Sequence, residues 1–353
     1  MKKFILPFVA VGILLFISCQ TEPVTTNPRT EGFNFLDNKY NQDHKEDVLD
    51  VYRTDDTVKP AVLMIHGCAW MNILNRSSIA PDKDLFLNNG YHVVNIDHQK
   101  IDITNPEGEQ PTYLDMLNDV KSAVKYIYDR SSDFKIDTSY LVMYGYSSGA
   151  HLAELYSYKV TDSPIPVRLC IAKGGPADFT NPKFRECDVF GFTSDQGIRS
   201  EIIKIIKNLC FPMTSAEERE KIPESELSNP FRVFIVKTLL GIKTDETSDI
   251  NKIADDPNNQ DNIQDASPLY HVKQKTTSEE ISTIPDTILL HGEQDQLVDI
   301  SMANDLAETL GAAKCKLITM PNSGHDLCDP SDDAKFQEFK EYVTETIIKL
   351  NQK

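Results

Sequence analysis

Five consecutive residues, Gly145-Tyr146-Ser147-Ser148-Gly149, carry the strongest chemical signal in the chain. The apolar run Tyr140 to Tyr144 precedes them and reads as a short buried strand; Ala150 to Leu155 follows and reads as the start of a helix. A serine set between glycines at a strand-to-helix junction is the setting of a nucleophile elbow. The turn is so tight that large side chains have no room beside the serine, hence glycine on both sides. The hydroxyl is then held out at the strand's C-terminal edge, next to the amides of a helix start. A serine hydroxyl is a poor nucleophile at neutral pH. It needs an imidazole to take its proton and a carboxylate to fix the imidazole tautomer.

Both partners lie downstream, each at the end of an apolar run. Thr287 to Leu290 leads into His291-Gly292-Glu293-Gln294-Asp295, and Lys316 to Met320 leads into Pro321-Asn322-Ser323-Gly324-His325. The candidate catalytic set is therefore Ser147, Asp295 and His325. That chain order is the α/β-hydrolase one and differs from the chymotrypsin and subtilisin orders. Upstream, the run Ala61 to Ile65 ends in His66-Gly67-Cys68-Ala69-Trp70. Here the chain resembles the hormone-sensitive-lipase-like and feruloyl- or acetyl-esterase branches of the α/β-hydrolase superfamily, which carry His-Gly-Gly-(Gly/Ala)-Trp at this point. The likeness covers about residues 45–180 and 262–350. It implies that the backbone amides of Cys68, Ala69 and Ser148 face a developing oxyanion. It also implies that Asp295, rather than Glu293 or Asp299, is the acid, and that His66 and His291 brace turns. No cofactor and no metal are implied.

Cys68 departs from the resembled pattern, which has glycine there. Its side chain should either force a negative φ or crowd the acyl pocket. A small cysteine that simply fits and a cysteine that favours short acyl groups such as acetyl both remain open. Trp70 is expected beneath the oxyanion loop, and His151 on the elbow helix is expected to be structural. Asp97 is expected to bind nearby turn amides. Asp178 is a candidate for substrate contact.

These residues need a scaffold that brings four strand ends together. Strands are expected at Asp47–Tyr52, Ala61–Ile65, Tyr91–Ile96, Tyr140–Tyr144 and Arg168–Ala172. Helices at Asp82–Asn89, Tyr113–Asp129 and Ser148–Tyr158 alternate with them. Alternation of this kind means an α/β fold, a mostly parallel sheet with helices on both faces. Ligands then bind at the C-terminal ends of the strands, where all four motifs fall. Between about 176 and 265 the alternation stops, and amphipathic stretches Ile198 to Leu209 and Phe231 to Leu240 appear. So long a segment is more than a bare loop, and a helical cap insertion is expected, its isoleucine stripe packed as core. The chain closes with helix Ser301–Leu310, strand Cys315–Met320 and helix Asp332–Leu350.

The N-terminus reads as an address. Met1-Lys2-Lys3 precedes the apolar run Phe4 to Ile17, shorter than the roughly 18–20 residues of a membrane span. Phe16-Ile17-Ser18-Cys19 resembles a bacterial lipobox, which implies a signal peptide at 1–18 and lipidation of Cys19. A Thr-, Pro- and Asn-rich tether at 19–31 and a hydrolase domain at 32–353 would follow. The expected location is an exported protein, lipid-anchored to a bacterial membrane on its periplasmic or surface side. Of seven cysteines, six remain beyond Cys19, and a Cys187–Cys210 disulfide across the insertion is one expectation. A formal net charge of −18 disfavours nucleic-acid partners. The expected function is a serine esterase that deacylates carbohydrate or other small esters, with acetyl or feruloyl as acyl groups. An amidase or peptidase on the same residues, similar to arylformamidases, and an inactive glycan-binding hydrolase fold are the alternatives.

Overall fold

The computed structural model describes residues 29–106, 108–188, 196–211, 214–244 and 249–352. The expected signal peptide, Cys19 and parts of the insertion lie outside them. Among the described residues nine strands form one sheet in the order β1-β2-β3-β5-β4-β6-β7-β8-β9. They are β1 (Arg29–Glu31), β2 (Asn34–Lys39), β3 (Val48–Tyr52), β4 (Lys59–Ile65), β5 (His92–Ile96), β6 (Ile136–Tyr146), β7 (Val167–Lys173), β8 (Asp286–Gly292) and β9 (Cys315–Met320). The first three run antiparallel along one edge; β5, β4, β6, β7, β8 and β9 are mutually parallel. This is the α/β-hydrolase fold that the motif order implies.

Alternation along the central strands divides the core in two. Leu63, Ile65, Leu141 and Met143 face one apolar cluster with Met116, Val120 and Leu152. Val62, Met64, Val142 and Tyr144 face the other with Phe86, Phe339, Val343 and Ile347. Period-two side chains on a sheet covered on both faces give this division. Helix Tyr113–Asp129 begins at a reciprocal cap between Thr112 and Asp115 and buries Met116, Leu117, Val120, Ala123, Val124 and Ile127. That is the i, i+3/i+4 stripe of a helix lying on a sheet. Helix Ser148–Lys159 is buried from Ser148 through Tyr158. A helix enclosed on all sides makes a rigid base for whatever precedes it.

The insertion contains helices Pro182–Glu186, Gln196–Cys210, Ala216–Glu220, Ser228–Leu240, Ile250–Asp255 and Gln260–Asp265. Its two ends are zipped together, Leu269 N donating to Ala177 O at 2.9 Å and Phe179 N to Ser267 Oγ at 2.9 Å. Ile206 and Leu209 of the isoleucine stripe are buried in the same cluster as Trp70 and Met116.

Two expectations are corrected here. The tether does not reach residue 31, because Arg29–Glu31 pairs with β2 in the register Arg29↔Leu36. A three-residue edge strand leaves no periodic signal, since its partner alone defines it. Cys187 and Cys210 are both free. Each packs in the large apolar cluster, and burial pushes their thiols up to about 11 and about 12, as expected for small hydrophobes rather than a bridge.

Candidate active site

Ser147 follows the last residue of β6, and its backbone adopts φ 55, ψ −122 before the helix begins. That conformation is costly for a residue with a Cβ. The flanking glycines make it reachable. A Cβ on Gly145 would lie 2.3 Å from Gly149 O, and one on Gly149 would lie 2.1 Å from Ile65 O. Ser147 N donates to Lys173 O at 2.8 Å, tying the turn to the neighbouring strand.

The structure brings Ser147, His325 and Asp295 together from three strand ends. Ser147 Oγ is 2.9 Å from His325 Nε2, and His325 Nδ1 is 2.7 Å from Asp295 Oδ2. A carboxylate can only accept, so Nδ1 carries the imidazole proton and Nε2 accepts from the serine hydroxyl. All three side chains are buried. Burial alone would raise the Asp295 carboxyl, yet it is held well below the usual carboxylate range by His325 and His291. Burial alone would lower His325, and the Asp295 charge more than offsets it, so the imidazole is raised.

Asp295 is itself fixed. Its Oδ1 accepts from Leu297 N at 2.9 Å and Val298 N at 2.8 Å. His291 Nε2 donates to Val298 O at 2.7 Å and sits 3.3 Å from Asp295 Oδ2. The competing carboxylates are engaged elsewhere. Glu293 accepts from Thr319 Oγ1 at 2.7 Å, and Asp299 accepts from Ser301 N at 2.9 Å. The loop carrying His325 is braced through Asp332, which accepts from Ser323 Oγ at 2.7 Å and Asn322 N at 2.9 Å.

The loop after β4 holds Cys68 at φ 112, Ala69 at φ 49 and Trp70 at φ 60. Of the two outcomes expected for a side chain at 68, a negative φ is not the one adopted. The backbone keeps a glycine-like path because the loop is pinned on both sides: Met71 N donates to Cys68 O at 2.9 Å and Ile101 N to Trp70 O at 2.8 Å. Trp70 Nε1 donates to His151 Nδ1 at 3.2 Å, and His151 Nε2 donates to Ala266 O at 2.8 Å. One neutral tautomer satisfies both contacts, and burial pushes His151 down to about 4. His151 thus bolts the loop to the elbow helix. Ser148 is the first residue of that helix.

Two sequence readings change in detail. Asp97 does more than bind turn amides. It accepts from Arg76 N at 2.9 Å and Arg76 Nη1 at 2.7 Å, with His66 Nε2 at 3.3 Å and Lys100 Nζ at 3.2 Å. Asp178 turns its Oδ1 onto Thr180 N at 2.8 Å and Thr180 Oγ1 at 2.6 Å, closing a turn rather than facing a ligand. The insertion touches both sides of the site: Asp188 N donates to Gln296 O at 2.7 Å beside Asp295, and Phe179 packs 5.9 Å from the Trp70 ring. Arg76 and Tyr146 were missed from sequence, because nothing in their own neighbourhoods announces partners so far along the chain.

Residues 49–192 match the BD-FAE family model. Esterase LipQ of Mycobacterium tuberculosis is 22% identical over 295 residues, 81% of this chain, which spans 55% of that relative's length. Among solved structures, a truncated carbohydrate esterase from gut microbiota superposes with TM-score 0.59 at 18% identity, covering 91% of this chain and 96% of that one. A butyrate-bound esterase from Thermogutta terrifontis gives TM-score 0.55 at 15% identity, covering 89% and 93%. The sheet order and these likenesses give the chain the α/β-hydrolase fold.

Proposed function

We propose that this protein is a serine carboxylic-ester hydrolase working through an acyl-enzyme. The observation that carries the reading is the Ser147 Oγ–His325 Nε2 contact of 2.9 Å, continued to Asp295 at 2.7 Å. His325 takes the Ser147 proton as Oγ attacks the ester carbonyl. The resulting oxyanion is stabilised by the amides of Cys68, Ala69 and Ser148. The protonated His325, held by Asp295, then gives its proton to the leaving alcohol, and water repeats the sequence to release the acid.

The substrate we infer is a short acyl ester on a carbohydrate or another small alcohol. Cys68 keeps a side chain where the resembled pattern has none, on a loop that retains a glycine-like φ. A carbohydrate alcohol is the reading favoured by likeness in fold to a carbohydrate esterase. Anchoring to a bacterial membrane through a lipid on Cys19 is part of the same proposal, supported by the basic start, the apolar run and Ser18-Cys19.

The test is labelling of the purified protein with a fluorophosphonate probe, followed by hydrolysis of a p-nitrophenyl ester series. Labelling at Ser147 with turnover of acetate and propionate is expected. Cys68→Gly should widen tolerance toward longer acyl chains. Absence of both labelling and turnover would refute an esterase; labelling with turnover of amides alone would move the reading to an amidase.

A further inference from the structure

Tyr146 stands between the elbow glycine and the nucleophile, and its side chain reaches the opposite side of the site. Its hydroxyl donates to the backbone carbonyl of His325 at 2.8 Å. Its ring lies 5.5 Å from the His325 imidazole, centroid to centroid, tilted by 32°. The ring also abuts the oxyanion loop, since a Cβ built on Gly67 would lie 3.2 Å from Tyr146 Cδ1. Behind it the Lys173 ammonium sits 5.7 Å from the ring centroid and is anchored to Asp82 at 2.8 Å. Tyr146 is thus in contact with the loops that carry both the base and the oxyanion donors, while its own backbone belongs to the strand that carries the nucleophile.

The His325 loop needs such a post. It is irregular chain between β9 and the C-terminal helix, and its brace through Asp332 acts on Asn322 and Ser323 rather than on His325 itself. Tyr146 holds the histidine's own peptide. A shift of a fraction of an ångström at that peptide changes the Ser147–His325 contact directly, and misplacement of about 1 Å can cost about 10²-fold in rate. Burial raises the Tyr146 hydroxyl well above its ordinary value, so it stays a neutral donor.

We propose that Tyr146 is a positioning residue for the base, its hydroxyl and ring together setting the His325 peptide and imidazole against Ser147. This rests on the esterase reading, and the experiment separates the two. Tyr146→Phe removes only the hydroxyl; Tyr146→Leu removes the ring as well. Each is compared with wild type by p-nitrophenyl acetate kinetics, by thermal melting, and by the downfield proton resonance of His325 Nδ1–H, assigned by its loss in His325→Gln. The Phe variant should lose about 3–10-fold in kcat, the scale of one hydrogen bond, with KM held within about two-fold for the same reason that substrate binding is untouched. Its Nδ1–H resonance should shift or broaden by faster exchange. The Leu variant should lose more, on the order of 10²-fold. A Phe variant with wild-type kcat and an unmoved resonance overturns the proposal, as does one whose activity falls only in proportion to its folded fraction. If wild type neither turns over esters nor labels with the probe, the esterase reading fails by itself, and the resonance still decides whether Tyr146 positions His325.

Discussion

Asp295 Oδ2 meets His325 Nδ1 at 2.7 Å while Asp295 Oδ1 is held by two backbone amides of its own loop. One oxygen is spent on rigidity and the other on the imidazole. The carboxylate therefore cannot swing away when its charge is most needed.

The Asp295 charge raises His325 against the lowering effect of burial. Only the neutral imidazole can accept the serine proton. Activity should fall as pH drops through the raised value, so the acid limb of kcat/KM is expected above the ordinary histidine value of about 6.5. Asp295→Asn removes the raising charge. Its limb should move to lower pH, and turnover should drop by about 10⁴-fold. Inactivation rates with the fluorophosphonate probe across pH give both limbs, and coincident limbs would sever the link between the two residues.

Ser147 pays a backbone cost for its position. Its φ 55, ψ −122 conformation suits glycine, and holding a side chain there costs on the order of 1–3 kcal/mol. Alanine keeps the Cβ and with it the strain; glycine releases it. Both Ser147→Ala and Ser147→Gly should abolish esterase turnover. The Gly variant should be the more stable of the two by about 1 kcal/mol, after the entropy that glycine loses on folding is counted. Denaturant unfolding of the pair reads this difference, and a more stable Ala variant would show that the elbow is unstrained.

Periodicity carried most of the scaffold. Helix Tyr113–Asp129 and strand Cys315–Met320 have the bounds that their apolar patterns imply. Strand ends were drawn short where polar residues begin, as at β6, which starts at Ile136 ahead of Asp137, Thr138 and Ser139. The hairpin β1–β2 was illegible because short polar edge strands are specified by their partners. The triad residues could be read because each ends an apolar strand with a distinctive loop. The left-handed path of Cys68, Ala69 and Trp70 could not, because none of those residue types signals positive φ. Nor could buried Glu154, whose carboxyl burial pushes up to about 8; it occupies a face of the elbow helix that sequence spacing alone does not show to be enclosed.

Arg76 is the largest feature without a local sequence signal. Its guanidinium is buried among three carboxylates: Nη2 meets Asp37 at 2.6 Å, Nε meets Asp50 at 2.7 Å and Nη1 meets Asp97 at 2.7 Å. The hub joins β2, β3 and the end of β5, and Asp97 carries it on to His66 at the start of the loop after β4. Burial alone would raise the Asp97 carboxyl, but His66, Lys100 and Arg76 hold it well below the usual range. A lowered acid adds stability that is present above its unfolded value and lost as pH falls through the folded one. Arg76→Leu strips the central cation from three buried carboxylates, and breaking such a network costs about 3–5 kcal/mol. Without the arginine, Asp97 loses one of the cations that offset its burial, and with it part of the stability tied to its lowered carboxyl. The variant's deficit should then be full at about pH 7 and smaller at about pH 3, because the unfolded acid protonates near 4. Urea unfolding at both pH values measures it. A deficit larger at about pH 3 than at about pH 7, or one below about 1 kcal/mol, would mean that Arg76 does not hold Asp97 and that the hub does not support the loop beside Cys68.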